Sequence, residues 1–346
     1  MVVILDEVGL AEKAPSNPLK VLHRLLEPPK VAMIGLSNWS LDAAKMNRAV
    51  HASRPPLTAK DLRETVLTMR EGINPGVEKD LLFSLSDDFY EYLSELSTGG
   101  QFFFHGTRDF YNLISYICRE WDNREGAGEL GASSVPLVVR GLQRNFGGRN
   151  EEDTLSHFTY IGSRAEYKRY LVEPVTLIRE NFRDHKSRHL MLITESPEQA
   201  FQHLEGLAEE HRQPLKIFYG SDFQEDVTEA RAYELIYDVI YCMEQGVSCV
   251  FFGLDHIYQS FYDLLNQNYS ELQGKKICRI AIGSDNFRAQ VHESFKAIVV
   301  VKEQDVRKRK YDPPFLNRFE KQRFNFADIF SKEDKELRDK VAAWLE

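Results

Sequence analysis

The sequence predicts an α/β fold with parallel sheets, arranged as two successive units joined by helices. Two short apolar runs, Val2–Leu5 and Leu190–Ile193, are typical of strands buried on both faces of a parallel sheet. Between them, from about residue 55 to 148, apolar residues recur with helical periodicity. With 346 residues, 42% of them hydrophobic, the chain is long enough for two or three domains with a sizeable core.

Two adjacent carboxylates, Asp6 and Glu7, follow the first apolar run. Parallel strands present ligands at their carboxyl ends. In P-loop nucleotidases the first carboxylate of such a pair holds Mg²⁺, usually through water, and the second polarises the attacking water. The pair therefore predicts a site for ATP and Mg²⁺, with Asp6 on the metal and Glu7 as catalytic residue, although apolar runs that end in Asp-Glu also arise by chance.

A second apolar run, Lys30–Gly35, is followed by Asn38, which is expected to sense the γ-phosphate and help hold the lytic water. Arg48 follows a short helical segment and is expected to reach a neighbouring subunit's site, where a guanidinium stabilises charge on the transferred phosphoryl group. The sequence contains no G-x-x-x-x-G-K-[ST] loop to cradle the phosphates. This combination predicts a fragment of an ATPase or an incomplete gene model.

Three stretches together resemble the mysterin family, giant ring-finger AAA+ ubiquitin ligases: VILDEVGLAE at 3–12, PLKVLH at 18–23 and GLSNWSLDAAKMNR at 35–48. The resemblance implies a P-loop NTPase (AAA+) fold of three-layer αβα cores with parallel sheets and helical lid subdomains, in a dynein-like array. It implies adjacent AAA+ units of the same polypeptide as partners, and the ubiquitin machinery through other domains. It does not make this chain a ligase, because its four cysteines include no C-x-x-C pair to hold zinc.

The resemblance divides the chain into two consecutive partial units. The expected segments are the C-terminal part of a competent core from the Walker B carboxylates to the arginine finger (1–55), a helical lid (56–148), an exposed connector (149–187), a second, degenerate core (188–330) and the start of a truncated lid (331–346).

Within the expected lid, Thr58 is predicted to cap a helix. Arg108 lies in a Gly-Thr-Arg-Asp helix start that resembles midasin-like and dynein-like units, where an arginine at this position reaches the γ-phosphate of its own subunit. The alternative for Arg108 is a surface ion pair with Asp109, which would contribute little energy. Arg144, before a glycine-rich helix exit, is a weaker candidate for the same role.

The second unit carries the pattern of a decayed site. Glu195–Ala200 stands where the phosphate loop belongs, with no glycine or lysine and with two glutamates that would repel a nucleotide, so this site is expected to be empty. Asp255 keeps the first carboxylate, but His256 replaces the glutamate. Arg318 resembles an arginine finger acting across an interface, and the alternative is an ion pair with Glu320.

Composition and charge argue against some classes of protein. A net charge of -9 argues against broad nucleic-acid binding, and no apolar run approaches the roughly 18 residues of a membrane span. With no signal peptide and few, scattered cysteines, the sequence predicts a cytoplasmic protein. Arg307–Lys310 is the one basic run, and we expect a solvated loop there rather than a phosphate-binding patch.

Two hypotheses of function remain open. The first is the ATP-hydrolysing motor core of a mysterin-like ubiquitin ligase, in which the full-length protein is an ATPase and ubiquitin-protein transferase while this chain alone is inactive. The alternative is a non-catalytic AAA+ scaffold or interaction segment, in which the Asp-Glu pair is a relic. A glycine-rich Gly-Lys-Ser loop encoded just upstream would favour the motor, and its absence would favour the scaffold.

Overall fold

The computed structural model describes residues 2–6, 8–9, 18–21, 30–37, 40–98, 103–123, 134–149, 151–221, 223, 226–283, 285–330, 337, 340–341 and 344. The chain forms two compact units, residues 1–57 and residues 58–346.

The described part of the first unit contains a pair of parallel strands, β1 (Val2–Leu5) and β2 (Ala32–Gly35). A short 3₁₀ helix spans Pro18–Val21 and helix α1 spans Ala43–Met46. Asp42 caps α1 by accepting a hydrogen bond from the backbone N–H of Lys45 at 2.9 Å. Alternate residues of β1 are exposed, which differs from the expected strand buried on both faces, because in the described residues β1 pairs with β2 alone.

The second unit begins with four packed helices. Thr58 forms a capping box with Asp61 at the start of the first of them, which confirms the predicted N-cap. The core between these helices is aromatic, and the rings of Phe89 and Phe110 stack with centroids 4.4 Å apart. The helices are α2 (Ala59–Ile73), α3 (Lys79–Thr98), α4 (Thr107–Glu120) and α5 (Val135–Asn145).

The segment 149–187, expected to be an exposed connector, is instead a packed part of the second unit. Its many charges lie on outer faces, while Phe158, Leu177 and Phe182 are buried. The charge density of the sequence conceals these widely spaced apolar anchors. The segment contains α6 (Glu151–Leu155), α7 (Arg164–Tyr167) and α8 (Pro174–Arg183), with 3₁₀ turns at Thr159–Ile161 and Lys168–Tyr170.

A five-stranded parallel sheet forms the centre of the second unit, in the order β10-β3-β9-β5-β4. Alternate residues of β3 enter two different cores, with Met191 on one face and Leu192 on the other. Two helices cover these faces, so the architecture has three layers. The elements are β3 (Leu190–Thr194), α9 (Pro197–Glu210), β4 (Leu215–Tyr219), α10 (Glu229–Gln245), β5 (Ser248–Phe252), β9 (Ala297–Lys302) and β10 (Glu320–Arg323).

An antiparallel sheet is inserted between β5 and β9. A 3₁₀ turn (Tyr258–Phe261) and α11 (Tyr262–Leu265) come between β5 and this sheet, and the chain changes direction where Gln267 adopts φ of 56°. After the sheet, the N–H of Phe295 donates to the carbonyl of His292, and β9 begins two residues later. The inserted strands are β6 (Ser270–Leu272), β7 (Lys275–Ile282) and β8 (Asp285–Gln290).

Two short helices lie between β9 and β10, and a 3₁₀ turn follows β10. These are α12 (Glu303–Arg307), α13 (Pro313–Leu316) and the 3₁₀ turn Phe326–Ile329. The truncated lid predicted at 331–346 lies mostly outside the described residues.

Candidate functional site

The carboxyl ends of β1 and β2 lie side by side in the first unit. Leu5 pairs with Gly35, and the N–H of Leu36 donates to the carbonyl of Leu5 at 2.9 Å. The N–H of Val8 in turn donates to the carbonyl of Leu36, also at 2.9 Å. Leu5 and Val8 are therefore both hydrogen-bonded to the residue that follows β2, and Asp6, between them in the sequence, is exposed.

Two of the predicted site residues of this unit, Glu7 and Asn38, lie outside the described residues. Arg48 is described and lies two residues beyond the end of α1. Its side chain is exposed, and Nη1 donates to the carbonyl of Ala44 at 2.6 Å. The guanidinium is thus held against the last turn of α1, at the surface of the first unit.

The structure brings the other two predicted arginines together. Arg108, in the first turn of α4, donates from Nη1 to Oδ1 of Asn266 at 2.5 Å. Arg318 donates from Nε to the same oxygen at 2.9 Å. Its guanidinium also lies 3.8 Å from the centre of the Tyr262 ring, and the residue is only 9% exposed. One amide oxygen therefore links the predicted lid arginine with the predicted finger arginine inside the second unit.

The carboxylates proposed as alternative partners of these arginines have other partners. Asp109 is fully buried and accepts from Nη1 of Arg188 and from Nζ of Lys321, both at 2.8 Å, so it forms no surface pair. The Glu320 carboxylate accepts from Arg144 at 3.0 Å and from Asn181 at 2.8 Å. The ion-pair alternatives for Arg108 and Arg318 are therefore wrong, because buried cations take both carboxylates.

This buried network has perturbed proton affinities. Burial alone would raise the pKa of Asp109, but Lys321 and Arg188 outweigh it and leave the pKa below its ordinary value. Burial lowers the pKa of Lys321 to about 8, against the attraction of Asp109. Burial opposes the charge of Arg144 too, yet Glu320 leaves the pKa of this arginine raised. Arg144, the weaker candidate sensor, thus serves as the counter-ion of a carboxylate on β10.

The carboxyl end of β3 leads directly into helix α9. The N–H of Ser196 donates to Oγ1 of Thr194 at 3.0 Å, and Pro197 occupies the first position of the helix. Proline has no N–H, so this helix start offers one donor fewer to an anion. At the end of β5, Asp255 forms an ion pair of 2.8 Å with Lys310, and His256 is exposed.

A cleft of about 620 Å³ opens elsewhere on the second unit, between its helices and the ends of the parallel strands. The sequence did not predict this cleft. It predicted a solvated loop at the basic run 307–310, from which two of the lining arginines come. The four arginines of the cleft come from three separate places in the chain. They are Arg149, Arg307, Arg309 and Arg323.

The described residues contain neither a metal-binding cluster nor a membrane-spanning helix. No group of three or more His, Cys, Asp or Glu side chains in this part of the chain is arranged to hold a metal ion. None of the described helices combines the length and the apolar character required to cross a bilayer.

Comparison with known proteins identifies the family. Two models of the RNF213 AAA domain match the chain, one at residues 1–61 and another at residues 179–330, which together make up more than half of it. The chain belongs to the RNF213 family. Mysterin is another name for RNF213, so the resemblance stated from the sequence is confirmed, and the parallel-sheet α/β architecture is that of an RNF213 AAA+ domain.

Similar proteins extend this match to nearly the whole chain. The E3 ubiquitin-protein ligase RNF213 of Mus musculus is 32% identical over 99% of the chain, and that of Homo sapiens is 31% identical over all of it. The E3 ubiquitin-protein ligase rnf213-beta of Danio rerio is 32% identical over 99%. The chain spans about 7% of the length of each of these ligases. It therefore corresponds to part of an RNF213-like AAA+ region.

Proposed function

We propose that this chain contributes to the ATP-hydrolysing motor of an RNF213-like ubiquitin ligase, with hydrolysis in a site that the first unit helps to build. The second unit acts in the same motor without hydrolysing ATP. Ubiquitin transfer, and contact with the ubiquitin machinery, belong to other domains of the parent protein, whose location is cytoplasmic. The neighbours of the two units are further AAA+ units of the same polypeptide.

The observation that supports this proposal is the parallel register of β1 and β2. With Leu5 opposite Gly35, the residues after both strands leave the sheet at the same edge. Ligands of open α/β sheets bind at that edge. Asp6 follows one strand and Ser37 follows the other at this edge. Glu7 and Asn38 are the next residues in the sequence, and we propose that their carboxylate and amide groups join the same site.

This set of groups fits Mg²⁺. The ion prefers oxygen ligands, keeps several waters, and is usually held by one or two carboxylates together with substrate phosphates. Asp6 is an exposed carboxylate at the correct end of the strand, so its oxygen is accessible to a hydrated ion. Bound Mg²⁺ would neutralise negative charge on the phosphates.

The other residues have distinct roles in the proposal. Glu7 accepts a hydrogen bond from the attacking water and polarises it, and Asn38 holds the same water from the second strand. Arg48, anchored at the surface beside α1, is positioned to leave Ala44 and offer its guanidinium to a neighbouring unit. The hydrogen bond to Ala44 is exposed, so exchanging it costs little.

The second unit supports a different role. Glu195 and Glu198 flank a helix start that begins with proline, an arrangement that repels phosphate. Arg318 would have to leave Asn266 and the ring of Tyr262 before it could reach another unit. We therefore propose that Arg108 and Arg318 act first inside this unit, by linking its helices to its core through Asn266.

The test is ATP turnover by a longer chain, extended at its amino end by about 150 residues, one domain's length. The comparison is with its Glu7→Gln form, and the control is Glu64→Gln, an exposed glutamate on α2. The proposal predicts that Glu7→Gln abolishes turnover but retains nucleotide binding, while the control is unaffected. If neither the parent chain nor the variants bind or hydrolyse ATP, the segment is a non-catalytic scaffold.

A further inference from the structure

We propose that the arginine-lined cleft of the second unit binds a small anion that carries several phosphate groups. This site is separate from the one around Asp6 and does not depend on hydrolysis there. The proposal rests on the position of the cleft in the sheet, the charges that line it and the backbone conformation of one arginine.

The cleft lies where an open parallel sheet places its ligands. After β3 the chain crosses to β4 in one direction along the strand order, and after β9 it crosses to β10 in the opposite direction. The direction of the crossovers therefore reverses between the adjacent strands β3 and β9. Ligands bind outside the carboxyl ends of the strands at such a reversal. Ile193 of β3, Glu303 directly after β9 and Arg323 at the end of β10 all line the cleft.

Positive charge predominates in the lining. Four arginines face two carboxylates, Asp153 and Glu303. The Glu303 carboxylate accepts a hydrogen bond from Arg307 at 2.8 Å and another from Arg323. This carboxylate therefore holds two guanidiniums on the same side of the cleft. Planar guanidiniums are the side chains best suited to bind phosphate in a bidentate manner.

The opposite wall comes from the helical part of the unit. The Arg149 guanidinium lies 5.3 Å from the centre of the Phe104 ring, which keeps its apolar stem packed and its charge at the cleft. Tyr92 and Leu96 from α3 complete this side. A ligand here would contact the helices and the sheet together.

Arg309 reaches the cleft through an unusual backbone conformation. Its φ is 58°, in the left-handed region that arginine rarely adopts. The conformation is held by hydrogen bonds from the N–H of Arg309 to Val306 and from the N–H of Lys310 to Asp305, both at 3.0 Å. Residues held in such sparsely populated conformations cluster at ligand sites. Glycine or asparagine would be the ordinary residue here, so the arginine places a charge at the cleft at a cost in stability.

The size of the cleft selects the class of ligand. A volume of about 620 Å³ is that of a small-molecule pocket. A membrane surface or a duplex needs a broad exposed patch, whereas this cleft also has an apolar floor that includes Phe104, Ile193 and Val306. The shared chemistry is therefore a cluster of phosphates on a compact molecule, as in inorganic triphosphate, a nucleoside triphosphate or an inositol polyphosphate.

The experiment is calorimetric titration of the 346-residue chain with tripolyphosphate, ATP and inositol hexakisphosphate, each in EDTA so that Mg²⁺-dependent binding at Asp6 does not contribute. The test variant is Arg309→Asn, which removes one cleft charge and suits the left-handed backbone. The control is Arg212→Asn, because Arg212 is also exposed and has φ of 53° but lies outside the cleft.

At least one probe should bind the parent chain, and Arg309→Asn should weaken its affinity about tenfold, the effect of losing one charge-assisted hydrogen bond, while Arg212→Asn leaves it unchanged. Equal affinity for tripolyphosphate and ATP would mean that phosphates alone are recognised, and tighter ATP binding would mean that the floor holds a base. Binding of none of the three probes, or equal loss in both variants, would overturn the proposal. Turnover dependent on Glu7 is measured separately, so either proposal can fail without the other.

Discussion

Replacing Asp109 with asparagine should destabilise the second unit severely, because it removes the negative charge and replaces one accepting oxygen with an amide NH₂ that can only donate. The carboxylate is fully buried and accepts hydrogen bonds from Arg188, Lys321 and the N–H of Gly106 at 2.8 to 2.9 Å. Asparagine keeps the shape of the side chain. It leaves Lys321, which is also fully buried, without its negative partner.

The expected loss is about 3 to 5 kcal/mol, the usual cost of breaking a buried ion pair from one side. Lys321 can limit the loss by releasing its proton. An unfolded lysine has a pKa near 10.4, so this release costs about 5 kcal/mol at pH 7 and about 1.4 kcal/mol less for each unit of rise in pH. The penalty of Asp109→Asn should therefore shrink between pH 7 and about pH 8, the pKa of Lys321 in the parent chain, because above that pH both chains gain stability equally from the released proton.

The assay is urea unfolding of the 346-residue chain, followed through the fluorescence of Trp121, which is buried at the end of α4. The control is Asp61→Asn, because Asp61 occupies the same third helical position in the capping box of α2 but is only partly buried, and its loss should cost about 1 kcal/mol or less. If Asp109→Asn lowers the free energy of unfolding no more than Asp61→Asn does, the buried network does not stabilise the fold as described.

Three other predictions concern stability. Burial lowers the pKa of both Lys321 and Lys296 to about 8, so between pH 8 and pH 10 the two lysines hold protons in the unfolded chain that they have released in the native chain, and their contribution to the free energy of unfolding rises with pH. Buried cysteines such as Cys118, whose pKa burial raises to about 11, contribute in the opposite direction. Lys296→Met should therefore reduce the slope of the free energy of unfolding against pH, as measured by denaturant titrations at each pH, and an unchanged slope would contradict the prediction. Gln273 and the next residue, Gly274, both have positive φ in the tight turn from β6 to β7, a conformation that asparagine adopts more readily than glutamine. Gln273→Asn should therefore raise the free energy of unfolding by about 0.5 to 1 kcal/mol and raise the melting temperature accordingly. An unchanged or lower melting temperature would contradict the turn assignment. At Gly246, φ is 74° and an added Cβ would lie 2.5 Å from the His292 ring, so Gly246→Ala should lower the free energy of unfolding by about 2 kcal/mol. Gly206 lies in the middle of α9 with open space around it, so Gly206→Ala should raise the free energy of unfolding by about 1 kcal/mol. Similar shifts of the melting temperature for the two variants would contradict this prediction.

Local patterns in the sequence were sufficient for much of the fold. The apolar run that became β3 and the helix cap at Thr58 depend on residues within a few positions of each other, and such signals survive without knowledge of the tertiary structure. The family resemblance then supplied what local patterns cannot, namely that these elements build an AAA+ unit. The assignments of Glu7 and Asn38 stay predictions.

Contacts between distant residues could not be predicted in the same way. Asp109 and Lys321 are 212 positions apart, and nothing near either residue in the sequence indicates the other. The simplest local pairing, Arg108 with Asp109, was wrong because adjacent residues in the first turn of a helix point in different directions. Asn266 carries no motif at all, yet it joins Arg108 to Arg318. The cleft arginines were missed for the same reason, since only folding brings residue 149 to residues 307, 309 and 323.

The distance along the chain between Asp109 and Lys321 also has a consequence for synthesis on the ribosome. At about 5 to 20 residues per second, Lys321 emerges on the order of 10 to 40 seconds after Asp109. During that interval the helices α2 to α5 exist without the strand whose lysine completes their buried charge network. The nascent helices must therefore keep Asp109 hydrated or protonated and remain loosely packed around it. Strand β10 is translated well after α2 to α5, so a nascent chain halted before β10 would present an open apolar helix bundle to chaperones.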